Sequence, residues 1–156
     1  MTRYGDLLRW SASGLRESAA ELATQRQCLE RATETAQSRT PEWHGDAGLG
    51  YLARRSRLIT EGEALVEDLH QSSKRLSEAA DLVAEIERTV ARAGEMARRD
   101  GFRISSAGVV EDVVAKPGFD DPVALTDYER ERARLRRMIR GEVDEALRQA
   151  AEVSAF

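Results

Sequence analysis

Residues 65–99, LVEDLHQSSKRLSEAADLVAEIERTVARAGEMARR, decide the fold of this chain. Small and apolar residues return along them at alternating spacings of four and three, the pattern of one stripe on a long helix. The stripe consists of Leu65, Leu69, Ser72, Leu76, Ala79, Val83, Ile86, Val90, Ala93 and Ala97. A helix from Asp46 to Arg99 would be roughly 80 Å long, so it needs partner helices, in this chain or another, to bury the stripe.

Two signals place a shorter helix before the central one. A second stripe predicts a helix that ends at Ser38, because Pro41 cannot continue it. The members of this stripe are Leu15, Ala19, Leu22, Arg26, Leu29, Ala32 or Thr33, and Ala36. The short link after it predicts an antiparallel return along the first half of the central helix. Asp46 is expected to cap the central helix, and Gly101 to end it.

The segments at the two ends are expected to pack on these helices. Near the start, Tyr4, Leu7, Leu8 and Trp10 form an apolar leader. After the central helix, β-branched runs around a turn at 105–108 predict a small β-hairpin or extended excursion. Thr126 and Glu129 have capping-box spacing and predict the start of a third helix. Its stripe is Tyr128, Leu135, Ile139, Val143, Ala146 or Leu147, Ala150 and Val153.

The predicted fold is therefore all-α. It consists of an antiparallel helical hairpin with a long central helix, a small β-hairpin or extended excursion, and a third long C-terminal helix. We expect the helical hairpin in residues 1–100, the extended linker in 101–125 and the C-terminal helix in 126–156, all within one domain. The composition agrees with long paired helices, since charged residues make up 33% of the chain and aromatic residues 5%.

The residue pattern favours a non-enzymatic protein. His44 and His70 are separated by more than twenty residues, most of them helical, so they cannot share a metal ion. Cys28 is the single cysteine, so an internal disulfide is excluded, and within a helix it is expected to be structural or inert. No glycine-rich phosphate loop follows a strand. We expect no catalytic residue, no metal site, no cofactor and no small-molecule substrate.

The charge pattern gives no sign of a nucleic-acid partner. The formal net charge is −4, whereas phosphate binding needs a surplus of Lys and Arg. The most basic local signal is the group Arg130, Arg132, Arg134, Arg136, Arg137 and Arg140. Carboxylates one helical turn away predict a solvated face with the ion pairs Glu129–Arg132 and Glu131–Arg134. An enzyme or nucleic-acid regulator that uses this helix remains the weaker alternative.

Trp43 has two compatible interpretations. It can plug the end of the core beside the turn between helices, or it can stay partly exposed at the tip of the hairpin as a docking point. In this setting Trp43-His44-Gly45 resembles the turn motif of the WXG superfamily. These are helical-hairpin proteins of the early secreted antigen type, which the bacterial type VII secretion system exports.

The resemblance extends to both flanks of the motif. Residues 10–22, WSASGLRESAAEL, are similar to the Trp-Asp-Pro-x-x-Leu start of the first helix in WXG-like N-terminal domains of actinobacterial secreted toxins. Residues 93–110 resemble the segment of those domains that contains the end of the second helix and the residues that follow it. The matching positions there are Ala97, Gly101, Phe102, Ile104, Gly108 and Val109.

The resemblance implies a secretion-recognition module at the front of a larger effector or toxin. In the family such a domain pairs with a small WXG-like protein into a four-helix bundle, and the two together face the secretion ATPase. It further implies a cytoplasmic protein before export, and a secreted or cell-surface protein afterwards. Consistent with such a route, residues 1–6 lack the basic-then-apolar pattern of a signal peptide, and no apolar run approaches the ~20 residues that span a bilayer.

The expected partner surface joins the turn motif, the first part of the central helix and one face of the first helix. Its residues are Trp43, Gly45, Leu49, Leu52, Leu58, Ile59, Leu65, Leu69, Leu15, Leu22 and Leu29. The partner is a small WXG-like helical protein, or a second copy of this chain. The homodimer belongs to the main alternative, a self-associating structural coiled-coil protein such as a phage or scaffold component.

The chain departs from the family pattern in two respects. The export motif of the family has Tyr and an acidic residue four positions later. Here the residues at that offset from Tyr4, Tyr51 and Tyr128 are Leu8, Arg55 and Arg132, so a partner would have to supply the signal. The third helix also lies outside the family hairpin, where it would replace a partner helix or lead to an effector domain.

Overall fold

A computed structural model of the chain describes residues 2–39 and 45–154. In chain order the helices are α1 (Tyr4–Leu7), α2 (Ala12–Ser38), α3 (Asp46–Asp100) and α4 (Pro122–Ser154), and the strands are β1 (Phe102–Ile104) and β2 (Val110–Asp112). The prediction of a mainly helical chain with one small β-hairpin is confirmed. Pro41, Trp43 and His44 lie outside the described residues.

The central helix α3 is continuous over 55 residues. Its end was predicted correctly, because Gly101 adopts a φ of 72° that ends a helix at low cost. Its start is capped differently from the prediction. Gly45, with a φ of 86°, provides the carbonyl that accepts the N–H of Leu49 at 3.1 Å, and Asp46 is already the first helical residue.

The β-hairpin has the predicted turn. β1 and β2 are antiparallel, with Phe102 opposite Asp112 and Ile104 opposite Val110. The N–H of Gly108 donates to the carbonyl of Ser105 at 2.9 Å. Gly108 has a φ of 85°, the left-handed conformation that closes a three-residue hairpin loop.

Helix α4 begins four residues before the predicted start. Pro122 occupies its first position, where the missing N–H costs nothing, and the Oδ1 atom of Asp121 accepts the N–H of Val123 at 2.9 Å. Thr126 is already inside the helix, and its hydroxyl donates to the Pro122 carbonyl. The predicted boundary at 126 was wrong because the Asp-Pro signal is stronger than the capping-box spacing.

The chain forms two compact units, which divide it differently from the predicted boundaries at 100 and 125. The first, here called the core unit, contains Met1–Ala12 and Asp81–Phe156; the second, the α2–α3 unit, contains Ser13–Ala80. Helix α3 contributes its first part to the α2–α3 unit and its second part to the core unit.

The core unit has a continuous apolar interior. Its buried cluster is Tyr4, Leu7, Ile86, Val90, Ala93, Ala97, Phe102, Val110, Ile139, Val143, Ala146 and Ala150. The predicted stripes of the central and third helices are thus confirmed in this unit. The leader packs as predicted except for Leu8, which is 64% exposed. Burying each large apolar side chain stabilises the unit by about 1.5–3 kcal/mol.

In the α2–α3 unit, hydrogen bonds join the C-terminal end of α2 to the N-terminal part of α3, and the N-terminal part of α2 to residues further along α3. The Ser73 hydroxyl donates to the carbonyl of Ala19 at 2.9 Å, and Nε of Arg55 donates to the carbonyl of Ala36 at 2.8 Å. The side-chain amide of Gln37 donates to Glu63 at 2.8 Å. Residue numbers fall along α2 as they rise along α3, so these segments run in opposite directions.

The predicted stripe is displaced by one residue in the first part of α3. Leu65 and Ser72 are exposed, whereas Val66 and Ser73 are half-buried and Ala80 is buried. A strict seven-residue repeat drifts by about 20° per heptad around a straight helix. A stripe extended with this repeat along the whole helix therefore places Leu65 and Ser72 wrongly on the buried side. Leu69 and Leu76 are half-buried as predicted.

Candidate interaction surface

The α2–α3 unit has almost no interior of its own. The hydrophobic residues buried among described positions 13–39 and 45–80 are two alanines, Ala19 and Ala80. Small and polar side chains make several of the close contacts between the two helices. A Cβ on Gly62 would lie 2.8 Å from Oγ1 of Thr33, so glycine permits this close approach. Polar contacts join the two helices, whereas the large apolar side chains of this unit are half-buried or exposed.

The apolar side chains left outside form a stripe on α3. Leu58 is 67% exposed and Leu65 is 54% exposed. Tyr51 precedes Leu58 by seven residues, as Leu58 precedes Leu65, so all three lie along one line of the helix surface. Leu49 and Leu52 extend the exposed apolar area at the start of α3. We call these five residues the α3 stripe: Tyr51, Leu58, Leu65, Leu49 and Leu52.

A groove lies beside this stripe within the same unit. It has a volume of about 540 Å³, and α2 contributes Ala32, Thr35, Ala36 and Arg39 to its lining. From α3 it is lined by Tyr51, Arg54, Arg55 and Leu58. The Arg55 guanidinium is held on α2 by the carbonyls of Ala36 and Gln37. The groove is thus an apolar depression with a basic rim, and it can accept an apolar helix face or side chain of a partner.

The structure separates the predicted partner residues into two groups. Leu49, Leu52, Leu58 and Leu65 are exposed, whereas Ile59, Leu69, Leu15, Leu22 and Leu29 are half-buried. Gly45 is exposed, and Trp43 lies outside the described residues. The exposed group is accessible to a second protein, and the half-buried group faces both the neighbouring helix and solvent.

Sequence reasoning missed two residues of the α2–α3 unit. Tyr51 was considered only as the start of an export motif, although it is 42% exposed and lines the groove. Tyr51 lies seven residues before Leu58, and this spacing predicts that the two side chains share one face of α3. Val66, which is half-buried, was likewise missed because Leu65 was assigned to the inner stripe.

The arginine-rich helix α4 has one arginine that differs from the rest. Arg132 is mostly buried and donates to both carboxylate oxygens of Asp112, at 2.6 and 2.8 Å. It also donates to the carbonyls of Asp100 and Gly101, and its guanidinium carbon lies 4.0 Å from the centre of the Phe102 ring. Arg132 therefore ties the hairpin and the end of α3 to α4.

The expected ion pairs of this helix are partly different in the structure. Glu131 pairs with Arg134 as predicted, but Glu129 pairs with Lys116 at 2.7 Å, and Arg132 with Asp112. The predicted Glu129–Arg132 pair was wrong because tertiary contacts provide each residue with another partner. Hydrogen bonds from Arg132 lower the pKa of Asp112, and those to Asp112 raise the pKa of Arg132.

In the described part of the chain, the side chains that could bind a metal ion are dispersed. Within residues 2–39 and 45–154, no three His, Cys, Asp or Glu side chains come together in a way that could hold a metal ion. Cys28 and His70 are exposed on helical surfaces, and His44 lies outside the described part of the chain. None of the described helices carries an apolar stretch long enough to cross a membrane.

Comparison of the chain with protein-family models, with curated proteins and with solved structures finds no match.

Proposed function

We propose that the α2–α3 unit is a helical hairpin that a second helical protein completes, and that this pairing targets the chain for type VII secretion. The observation that carries the proposal is the missing interior: this unit buries two alanines but no large apolar side chain among its described residues. A helix pair without an apolar core is stabilised when a partner covers its exposed side chains.

The exposed α3 stripe supplies part of the free energy that a stable contact needs. Covering a large apolar side chain contributes up to about 1.5–3 kcal/mol. The α3 stripe holds five such side chains, while association costs roughly 4–15 kcal/mol in lost freedom of motion. The two contributions are of similar size, so the partner must also cover half-buried residues such as Ile59 and Leu69. An amphipathic helix pair placed along the groove does this.

The resemblance to the WXG superfamily supports the identity of the partner. A small WXG-like protein would supply two amphipathic helices, and the four helices would bury the α3 stripe between them. The chain lacks an acidic residue four positions after each of its tyrosines, so the partner would supply the export signal. The chain would then act as a non-enzymatic targeting module of a secreted effector or toxin and, with its partner, face the secretion ATPase.

Light scattering on a sizing column tests the pairing. The chain is co-expressed with a small WXG-like protein encoded beside it, and we expect a one-to-one complex. Leu58→Glu and Leu65→Glu should abolish the complex, because each places a charge in the covered surface. Leu82→Glu is the matched control, since Leu82 is an exposed leucine of α3 outside the α2–α3 unit. A complex that survives both stripe variants would contradict the proposed surface.

A second candidate function is self-association as a structural coiled-coil protein. The seven-residue spacing of Tyr51, Leu58 and Leu65 favours it, because such a stripe can pair with an identical one. The same column decides between the candidates. A homodimer that ignores the neighbouring protein and dissociates with Leu58→Glu would favour self-association. Export is tested separately, by the amount of the chain outside a type VII-competent cell with and without its secretion ATPase.

A further inference from the structure

In the core unit, the outer edge of β1 is a second candidate binding surface. The N–H of Val113 donates to the carbonyl of Gly101, and the N–H of Ser105 donates to that of Val109. In an antiparallel pair the hydrogen-bonding residues alternate, so the backbone groups of Phe102 and Ile104 point away from β2. No hydrogen bond to the backbone of Ile104 is found among the described residues. β1 is therefore an edge strand that can accept another strand.

A groove accompanies this edge. It has a volume of about 430 Å³ and is lined by β1, by α3 and by the leader segment. From α3 it is lined by Val90, Ala91, Gly94 and Ala97, residues small enough to leave space beside the strand. A Cβ on Gly94 would meet no atom within 4 Å. Leu8 also lines the groove, and its 64% exposure leaves an apolar side chain uncovered there.

The charges around the groove are positive. Arg98 lines it from the last turn of α3, and Arg103 lines it from the middle of β1. Arg103 is neutralised by Glu111 on the neighbouring strand, at 2.6 Å. Arg98 forms no ion pair among the described residues, so its charge is available to a ligand.

We propose that this groove binds an extended acidic peptide, which adds to the edge of β1 as a third strand. The peptide backbone would hydrogen-bond to Ile104 and to the outward groups of Phe102. Alternate apolar side chains would fill the space beside Gly94 and Leu8, and a carboxylate would meet Arg98. A second copy of this chain fits less well, because its own β1 strand, Phe102–Ile104, carries no carboxylate that could meet Arg98.

Fluorescence anisotropy with a defined set of peptides tests the proposal on the full chain. The labelled peptides alternate valine, isoleucine or phenylalanine with threonine and end in an aspartate with a free carboxylate. We expect at least one to bind, and to bind about tenfold more weakly when alternate backbone amides are methylated, because methylation removes the strand hydrogen bonds. Binding that is unaffected by methylation would overturn the strand-addition geometry.

Two pairs of variants locate the site. Gly94→Leu fills the groove, whereas Gly141→Leu adds the same side chain to an open position of α4 as a control. We expect the first to abolish binding and the second to leave it unchanged. Arg98→Glu should weaken binding about tenfold and reverse its dependence on the terminal carboxylate, whereas Arg137→Glu on α4 should have no effect. Circular dichroism establishes that each variant is folded.

The remaining outcomes would overturn the proposal. If none of the peptides binds, or if Gly94→Leu binds as well as the unchanged chain, the groove is not a peptide site. If light scattering shows a dimer that Gly94→Leu dissociates, the occupant is a second copy of the chain. The proposal is independent of the partner surface, so Leu58→Glu should leave peptide binding intact.

Discussion

Arg132 and Asp112 form a two-point ion pair that joins α4 to the β-hairpin, with Nη2 2.6 Å from Oδ1 and Nε 2.8 Å from Oδ2. The same guanidinium donates to the last carbonyl of α3, at Asp100, and to that of Gly101. One side chain thereby connects the end of α3, the β-hairpin and α4. The other paired arginines of α4 bind carboxylates on exposed surfaces.

We predict that Arg132→Met destabilises the protein by about 1–3 kcal/mol, because it leaves Asp112 without its charged partner. Arg132→Lys should recover only part of the loss, since an ammonium cannot make the two-point contact. The control is Arg134→Met, which removes an exposed pair within one helix and should cost less than about 0.5 kcal/mol. Urea unfolding followed by circular dichroism measures the differences, and equal losses for the two methionine variants would contradict the prediction.

The Asp112 carboxylate should make stability depend on pH. Hydrogen bonds from Arg132, and less strongly from the Val114 N–H, hold its folded-state pKa below the unfolded value of about 3.9, against the opposing effect of burial. Its contribution is therefore complete above that value and is lost as the pH falls through the folded-state pKa.

The expected result is a destabilisation by Asp112→Asn that is large at pH 6 and shrinks as the pH falls below about 4. The free energy of unfolding is measured across this range for both proteins. In an Arg132→Met background the same substitution should have little pH-dependent effect, because the stabilising charge is absent. A difference that stays constant with pH would show that the ionised carboxylate contributes nothing.

Gly101→Ala should be strongly destabilising. Its φ of 72° costs an L-residue about 1–2 kcal/mol, and the added Cβ would overlap Cγ2 of Val114. Gly141→Ala is the control within a helix, where open space around the position predicts a gain of up to about 1 kcal/mol. Thermal unfolding of the two variants should shift in opposite directions. A neutral Gly101→Ala would mean that the end of α3 can rearrange.

Hydrogen exchange should divide α3 into two parts. Amides in residues 51–75 are expected to exchange at least about tenfold faster than those in residues 83–97, because only the second part packs on a large apolar interior. Both segments belong to one helix, so each serves as a control for the other. Uniform protection in the isolated chain would contradict the absence of an interior in the α2–α3 unit. Binding of the partner should slow exchange in the first segment alone.

Local signals in the sequence predicted much of the secondary structure. The ends of α2 at Ser38 and of α3 at Asp100 agree with the predictions made from Pro41 and Gly101, because proline and glycine restrict the backbone within a few residues, and the hairpin agrees with the predicted glycine turn at 105–108. The start of α4 was missed, although its signal, Asp121 followed by Pro122, was also local. The stripe in the second part of α3 was predictable because apolar residues, from alanine to isoleucine, occur there at every turn.

The candidate site was less predictable, because exposure depends on what each helix face meets. Leu58 and Val66 are both apolar, yet the first is exposed and the second half-buried, and their spacing alone does not distinguish them. Tyr51 lines the groove together with residues of α2, a contact that the sequence of α3 does not reveal. The helix period limits the candidate surface residues to one side of α3, and the contacts with α2 decide which of them are covered.

The sequence by itself determined where α2 and α3 end and where the β-hairpin turns, because prolines and glycines restrict the backbone of neighbouring residues. Only the tertiary structure decided which side chains are paired and which are covered. In the sequence, Arg132 does not differ from the neighbouring arginines of α4. In the folded chain, it alone among them, within the described residues, donates hydrogen bonds to Asp112 and Asp100 and lies against the ring of Phe102. In the α2–α3 unit, the sequence shows the spacing of the apolar residues but not their exposure. The two helices approach each other closely at Gly62 and Ser73, and the α3 stripe stays exposed to solvent.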